Sequence, residues 1–253
     1  MAMDKVSDIL LNRRTIRKYS KEPVGESLLN DLLNKACRAS STGNMQVYSV
    51  IITRNAEKKK ELAPLHFNQK MVTEAPLMLT FCADFNRFSK WCLLRKADPG
   101  YDNFLSFITA SIDTLIVAQT FCIAAEAKGL GICYLGTTTY MAHKITDVLQ
   151  LPKGVVPVTT VTVGWPAEKP DQVDRLPLEA VIHNETYCDY TDEKIELIYK
   201  DKEERSDSLQ FINENNKETL AQVFTDVRYK KVDNVYFSNM FMQVLKDQGF
   251  MEQ

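Results

Sequence analysis

The stretch Leu11-Asn12-Arg13-Arg14-Thr15-Ile16-Arg17-Lys18-Tyr19 carries three guanidinium groups and a hydroxyl within five residues. It follows Val6, Ile9 and Leu10, whose spacing predicts the apolar face of a helix that ends near Asn12. Arginine presents a planar fork of donors that binds two phosphate oxygens at once and keeps its charge. In an extended backbone, alternate side chains share one face and would offer charge, hydroxyl, charge. The stretch predicts a phosphate site, although a basic turn facing water, a membrane or a nucleic acid explains the same residues.

The composition is that of an ordinary globular protein. With 253 residues, 45% of them hydrophobic, the chain can bury one substantial core in one or two domains. The 31 basic and 33 acidic residues give a formal charge of −2, so no global field recruits nucleic acid or an acidic membrane. The arginine cluster is therefore a local feature, and the expected partners include neither nucleic acid nor membrane.

The six cysteines form no C-x-x-C pair and most lie in apolar runs, where reduced cysteine behaves as a small core residue. A reducing, cytoplasmic setting is predicted. Residues 1–8 contain charges and no apolar block, so no signal peptide is expected. The three histidines stand far apart and predict no metal site.

Helices and strands alternate along the first two thirds of the chain. Periodicity predicts helices at 26–39, 55–65, 104–128 and 140–149, and strands at 47–52, 77–83, 132–135 and 155–163. This order favours a sheet covered by helices, in an α/β or α+β arrangement. The helix at 104–128 is apolar on most sides but interrupted by polar residues, which is typical of a core helix and not of a membrane span. Residues 84–102 have no clean period and predict a mobile aromatic loop beside a site, or a surface excursion with a packed Trp91.

Two loops could meet a ligand. Ser40-Ser41-Thr42-Gly43-Asn44 lies between a predicted helix and strand, and either presents hydroxyls and N–H groups to a polar ligand edge or is only a turn. Gly136 ends a strand, where a flat ligand can approach the backbone closely. No G-x-G-x-x-G, Walker motif or G-x-S-x-G supplies catalytic machinery. The chemistry is therefore expected to come from a cofactor.

Taken together, four pieces in this order resemble the nitroreductase family of FMN-dependent oxidoreductases, over roughly residues 4–190. They are Arg13–Tyr19, similar to R-R-S-I-R-x-F; the small-residue loop Ala39–Gln46; Ala124–Gly131 with Tyr134–Gly136, similar to A-A-E-A-x-G-L-G; and Val163–Pro166 with Arg175–Pro177. The likeness is to a longer-chain, NADPH-preferring subgroup. It implies a three-layer α+β fold, with a mostly antiparallel central sheet between helices, and a homodimer with FMN at the interface.

The resemblance also implies an organisation of the chain. Residues 1–190 would form the FMN-binding core, and residues 191–253 a C-terminal helical extension that packs on the core or on the partner subunit, as a single domain overall. In this extension, Asp233 is predicted to cap a last helix that closes at Gly249. Arg228, Lys230 and Lys231 are candidates for the 2′-phosphate of NADPH, or form a solvated basic turn.

By the same resemblance, Arg13, Thr15 and Arg175 hold the FMN phosphate, and Arg17 lies near the N1/O2 edge of the flavin. Serines and threonine of the 40–42 loop come from the partner subunit, and residues 134–137 line the ring near N5. The implied cofactor-binding residues are Arg13, Arg14, Thr15, Arg17, Ser40, Ser41, Thr42, Gln69, Met71, Tyr134, Leu135, Gly136, Thr137 and Arg175. No protein side chain serves as catalytic acid or base. Val173 stands where the subgroup has a phosphate-binding lysine, and Lys169 could reach instead.

The implied function is that of an FMN-dependent NAD(P)H oxidoreductase of the nitroreductase, flavin reductase or quinone reductase type. Hydride would pass by a ping-pong scheme through flavin N5 to a nitroaromatic, quinone or flavin acceptor. Two alternatives stay open: the same flavin fold with enone reduction or dehalogenation, and a non-catalytic protein that binds another phosphate ligand. The natural acceptor and the choice between NADPH and NADH cannot be read from these residues.

Overall fold

The computed structural model describes residues 5–252. The prediction that no signal peptide is present rests partly on residues 1–4, which lie outside the described residues. In chain order the helices and strands are α1 (Lys5–Asn12), α2 (Glu26–Ala36), β1 (Tyr48–Thr53), α3 (Ala56–Leu62), α4 (Lys70–Glu74), β2 (Leu77–Asp84), α5 (Asn86–Leu94), α6 (Phe104–Glu126), β3 (Gly131–Leu135), α7 (Ala142–Val148), β4 (Val155–Gly164), α8 (Asp192–Glu203), α9 (Ser206–Glu214), the short α10 (Leu220–Gln222), a π-helical segment (Val223–Arg228) and α11 (Lys231–Asp247).

The four strands form one sheet in the order β1-β2-β4-β3, and every neighbouring pair is antiparallel. Strand β2 is buried along its whole length because both faces of the sheet are covered. On one face Leu79 and Phe81 pack with Phe121 of α6, and on the other Met78 packs with Leu62 of α3 and Ile145 of α7. The predicted three-layer α+β fold is confirmed.

Helix α6 is the long helix of the core. The side chain of Asn103 caps its first turn by accepting from the Ser106 N–H at 3.0 Å. Its 23 residues are long and apolar enough to span a membrane by length and composition, and α6 alone passes that test within residues 5–252. One side of the helix packs against the sheet and α2, as a core helix of a globular protein does.

The predicted loop at 84–102 is wrong in its first half, because helix α5 occupies residues 86–94. Packing of aromatic rings explains the helix. The rings of Phe85 and Tyr101 stack at a centroid distance of 4.7 Å, and Phe88 meets Tyr101 edge-on at 5.4 Å. These contacts join α5 and the residue before it to Tyr101, which follows the helix, and local periodicity carries no sign of them.

The chain divides into two compact units. The first comprises the described residues up to Asp171 and those from Phe237 onward, and the second spans Gln172–Tyr236. The first unit therefore ends before the predicted boundary at residue 190, and it includes the end of the predicted extension. This division does not test whether the chain folds as a single domain, which stays a prediction.

The last helix begins at Lys231, so the prediction that Asp233 caps it is wrong and Asp233 lies in its first turn. Beyond Phe237 the helix docks on the core of the first unit. Val244, Leu245 and Phe250 are buried there, and the rings of Phe250 and Phe107 lie 5.7 Å apart. The end of this helix thus packs on an apolar surface of its own chain.

Candidate functional site

The basic stretch lies as an added segment along β3, the edge strand of the sheet. Thr15 forms a parallel bridge with Ile132 of β3, and the Ile16 N–H donates to the Ile132 carbonyl at 3.0 Å. Further along, Tyr19 bridges Pro166, just beyond β4. The Tyr19 hydroxyl donates to the Ile16 carbonyl at 2.7 Å. These bonds satisfy the backbone of the edge strand and hold the stretch extended.

Two glycines allow this approach. A Cβ at Gly131 would lie 2.6 Å from Ile16, and one at Gly164 would lie 2.9 Å from Tyr19 and closer still to Pro76. Neither position has room for a side chain. From the sequence, Gly131 is predicted only to end a helix. Its packing role depends on Ile16, more than a hundred positions away.

Arg13, Arg14 and Lys169 line one pocket of about 530 Å³. The Arg13 guanidinium lies 3.5 Å from the carboxylate of Glu126, at the end of α6. Burial raises the pKa of Glu126, and Arg13 opposes that rise. Arg14 Nε is a buried donor with no hydrogen-bond acceptor among residues 5–252. Thr15 and Arg17 are not among the residues that line this pocket.

Arg17 is exposed, and its backbone is fixed by Glu168. One carboxylate oxygen of Glu168 accepts the N–H groups of Arg17 and Lys18, both at 3.0 Å. These hydrogen bonds are the main cause of the lowered pKa of Glu168. The carboxylate therefore holds the backbone of the basic stretch, while the Arg17 side chain is exposed.

Gln69 and Thr137 are both tied to His66. The Gln69 side-chain amide donates to the His66 carbonyl at 3.1 Å, and His66 Nδ1 lies 2.8 Å from Thr137 Oγ1. The His66 side chain is fully buried, and burial lowers its pKa to about 4. Two predicted ring-contacting residues, 68 positions apart in sequence, thus both bind His66, Gln69 at its backbone carbonyl and Thr137 at its neutral imidazole.

The loop with the small hydroxyl residues is anchored to α6. Asp113, 1% exposed, accepts the Ser41 hydroxyl at 2.7 Å and the Thr42 N–H and hydroxyl, each at 3.0 Å. Asn44 and Gln46 have φ near +55°, a conformation that costs non-glycine residues free energy unless the surroundings impose it. The hydroxyls of Ser41 and Thr42 thus hold the loop in shape, whereas Ser40 is exposed.

The remaining predicted ring-lining residues differ in exposure. Met71 and Leu135 are buried in the core cluster that covers one face of the sheet. Tyr134 is half-buried, and its hydroxyl donates to Gln119 Oε1 at 3.3 Å. Gly136 is exposed, and a Cβ there would meet nothing within 4 Å. Of this group, Gly136 alone offers open space at its Cα; the FMN contacts assigned to all four stay predictions.

The sequence model described as "Nitroreductase family" matches residues 10–165, which include the basic stretch, the 40–46 loop and strands β1 to β4. The chain belongs to the nitroreductase family. An FMN reductase [NAD(P)H] of Bacillus subtilis (strain 168) is 33% identical over 253 residues, covering 98% of each chain. An oxygen-insensitive NADPH nitroreductase of Salmonella typhimurium (strain LT2) is 34% identical over 185 residues, 73% of this chain and 75% of that protein.

A solved structure of a Bacteroides fragilis NCTC 9343 protein superposes on this nitroreductase-family chain with a TM-score of 0.96. It is 60% identical and covers 97% of this chain and 100% of its own. The match extends over both compact units. The fold beyond residue 165, outside the family model, is therefore shared with a relative.

The other predicted residues of this nitroreductase-family chain lie in the second unit. The guanidinium of Arg175 donates to the carbonyl of Asp174 at 2.7 Å. Arg228 lies over the ring of Phe211, 4.2 Å from its centroid, while Lys230 and Lys231 are exposed. Their assignments to the FMN phosphate and the NADPH 2′-phosphate stay predictions.

Three residues that fix this arrangement were not among the predicted site residues: His66, Asp113 and Glu168. For Asp113 a signal existed, since a carboxylate inside a predicted core helix must find partners when it is buried. His66 and Glu168 gave no such signal. Their partners come from residues 71 and about 150 positions away.

Proposed function

We propose that this chain is an FMN-dependent NAD(P)H oxidoreductase that reduces small acceptors such as nitroaromatics, quinones or free flavin. One observation carries the proposal: the basic stretch typical of the family lies extended on the sheet edge with its backbone held, Arg13 and Arg14 line a pocket, and Arg17 is exposed. The named relatives, an FMN reductase and an NADPH nitroreductase, support the same activity.

The residues present fit FMN. Arg13, Arg14 and Lys169 bring three cations to one pocket, and the buried Arg14 Nε lacks an acceptor that a phosphate oxygen would provide. Glu126 forms an ion pair with Arg13, and Glu168 binds the basic stretch. The negative charge of these two pocket-lining residues is therefore partly neutralised. The position of Lys169 in this pocket supports the prediction that Lys169 replaces the phosphate-binding lysine of the subgroup, where this chain has Val173. Thr15 and Arg175 remain proposed phosphate ligands.

Bound FMN would supply hydride acceptance and donation, in two half-reactions that share one site. The protein's part is to bind and orient. Arg17 would stand as a fixed positive charge at the flavin edge, where a preorganised cation stabilises developing negative charge. Gln69 and Thr137 would orient the ring, and the open space at Gly136 would admit a flat ligand. We propose that no side chain acts as acid or base.

We propose a homodimer with FMN at the interface. Helix α6 exposes an apolar stripe at helical spacing, made of Leu105, Ile108, Ile112, Leu115 and Ile116. A stripe of this kind on a long helix is typical of a subunit contact. In that dimer Ser40, Ser41 and Thr42 would contact the partner subunit's FMN.

We further propose a cytoplasmic location and NADPH as the preferred donor. All six cysteines are free thiols, which supports a reducing compartment. Arg228, Lys230 and Lys231 supply cations for a 2′-phosphate. The net charge of −2 supports small molecules as ligands in preference to nucleic acid.

The test is the visible spectrum of the purified chain with FMN, followed by anaerobic NADPH or NADH. We expect a yellow protein that bleaches with the nicotinamide and regains its colour when a quinone or nitroaromatic is added. A protein that stays colourless after incubation with FMN would overturn the proposal and favour a different phosphate ligand. Bleaching followed by recovery only with an enone or a halogenated aromatic would assign the alternative flavin chemistry.

A further inference from the structure

His66 lies at the end of the turn Ala63–His66, which follows α3, and its side chain is completely buried. Its imidazole reaches the far end of strand β3, where Nδ1 lies 2.8 Å from Thr137 Oγ1. Nε2 is buried without a hydrogen-bond partner among residues 5–252. We assign the ring proton to Nδ1, since a buried donor without an acceptor costs more than a buried acceptor without a donor.

The chain turns sharply directly after His66. Phe67 and Asn68 have φ of 55° and 53°, two consecutive left-handed residues that are not glycine. Such residues persist only where the surroundings impose them, and they concentrate at functional sites. The left-handed residues turn the chain so that Gln69 lies beside His66. The His66 carbonyl accepts the Gln69 N–H at 3.2 Å and the Gln69 side-chain amide at 3.1 Å.

Neighbouring rings support this turn. The ring of Phe67 lies 6.4 Å from Tyr140, and Tyr140 stacks on Phe237 at 4.5 Å. The turn is thus held by apolar packing on one side and by the imidazole on the other. The ring packing restrains where the turn lies. The hydrogen bond from His66 to Thr137 also fixes the turn relative to the end of β3.

We propose that His66 is a positioning residue that joins the Gln69 turn to the Gly136-Thr137 strand end, so that both contact the flavin in one fixed arrangement. This inference rests on the proposed function. His66 does not itself touch the cofactor; it acts through the two residues that it holds. The neutral imidazole is suited to this because it fills an apolar site and still supplies one hydrogen-bonding atom at the Nδ1 position.

The experiment compares four variants. His66→Phe keeps the ring volume and removes the hydrogen bond, whereas His66→Asn keeps a polar atom near the Nδ1 position. Thr137→Val removes the same bond from the other side. Thr138→Val is the matched control, because Thr138 is also buried and its hydroxyl donates to the Leu135 carbonyl at 2.9 Å, away from His66.

The readouts are the position and shape of the bound-flavin absorption bands, the FMN dissociation constant and the thermal midpoint of the FMN-free protein. For His66→Phe we expect shifted bands and about tenfold weaker FMN binding, the size expected for one buried hydrogen bond that orders a site. Thr137→Val should reproduce both effects, and the double variant should add nothing further. His66→Asn should restore the bands, and Thr138→Val should lower only the thermal midpoint.

Unchanged bands and FMN affinity in both His66→Phe and Thr137→Val would overturn the inference, as would additive effects in the double variant. If His66→Phe does not fold, His66→Leu, which also lacks the Nδ1 atom, takes its place in the comparison with Thr137→Val and the double variant. A wild-type chain that binds no FMN overturns the proposed function. A wild-type chain that binds FMN beside unaffected variants overturns only the role of His66.

Discussion

At the scale of single residues, the buried imidazole of His66 makes stability depend on pH. Burial lowers its pKa from 6.5 to about 4. Between those values the unfolded chain binds a proton that the folded chain does not, so stability rises with pH across this window. The contribution is fully present above about pH 6.5 and is lost as the pH falls towards 4.

We expect the free energy of unfolding to fall by about 3 kcal/mol between pH 6.5 and pH 4 on account of this one group. Urea unfolding of wild type and His66→Asn, measured at intervals across the window, checks the expectation. The wild-type curve should be the steeper of the two. Parallel curves would mean that His66 titrates alike in the folded and unfolded chain.

Single residues of the site also differ in how far local sequence predicts their contacts. Arg13 and Arg14 were predicted from local charge and do line a common pocket with Lys169. The contact of Ser41 and Thr42 with FMN stays a prediction, and the sequence did not indicate that their hydroxyls donate to Asp113, in a helix about 70 residues later. A local pattern identifies a hydroxyl but not its acceptor, because the acceptor is chosen by the tertiary fold.

At the scale of elements, the basic stretch and strand β3 depend on the absence of a side chain at Gly131. We expect Gly131→Ala to destabilise the protein by about 1–3 kcal/mol, since the new methyl group overlaps Ile16 and forces the stretch off the sheet edge. FMN should also bind more weakly. Denaturant titration and FMN fluorescence titration measure the two effects.

Gly100→Ala serves as the control, because a Cβ there meets nothing within 4 Å. Removing the opposing side chain, in the double variant Ile16→Gly/Gly131→Ala, should recover part of the lost FMN affinity, because the Ile16 Cβ is itself among the overlapping atoms. If Gly131→Ala binds FMN as tightly as wild type does, the contact of the basic stretch with β3 does not position the arginines for FMN.

Elements with a strong hydrophobic period were the easiest to predict from sequence. Strands β2 and β4 and helix α6 came within about two residues of their observed ends, because an apolar run bounded by polar residues or glycine marks them locally. Helix α5 was missed, since its stability depends on rings from outside it. The start of α11 was misplaced, since Asp233 is a good cap in isolation but the helix already begins at Lys231.

At the scale of the whole molecule, the exposed stripe on α6 bears on assembly. We expect Ile112→Glu to shift the protein from dimer to monomer, raising the dissociation constant at least about a hundredfold, because an unpaired carboxylate would be buried in an apolar contact. Sedimentation analysis over a range of concentrations gives the result. FMN should be lost together with the dimer if the site spans the interface.

Ile52→Glu is the comparison for that test. Ile52 is exposed on strand β1 and lines a surface pocket whose residues, within the described part of the chain, include none of α6, so its variant should sediment as wild type does. A monomeric wild-type chain, or an Ile112→Glu protein with unaltered sedimentation, would remove the α6 stripe from the interface.

The contrast between three glycines sets limits for anyone who wishes to alter the acceptors of this protein by directed evolution. Positions 131 and 164 are pressed against neighbouring atoms, so nearly every substitution there will be eliminated before catalysis can be selected. Position 136 faces open space and directly follows β3, the strand that begins at Gly131. A mutant library should therefore be built at 136 first, because new side chains there leave the scaffold intact and alter the space through which a flat ligand would approach.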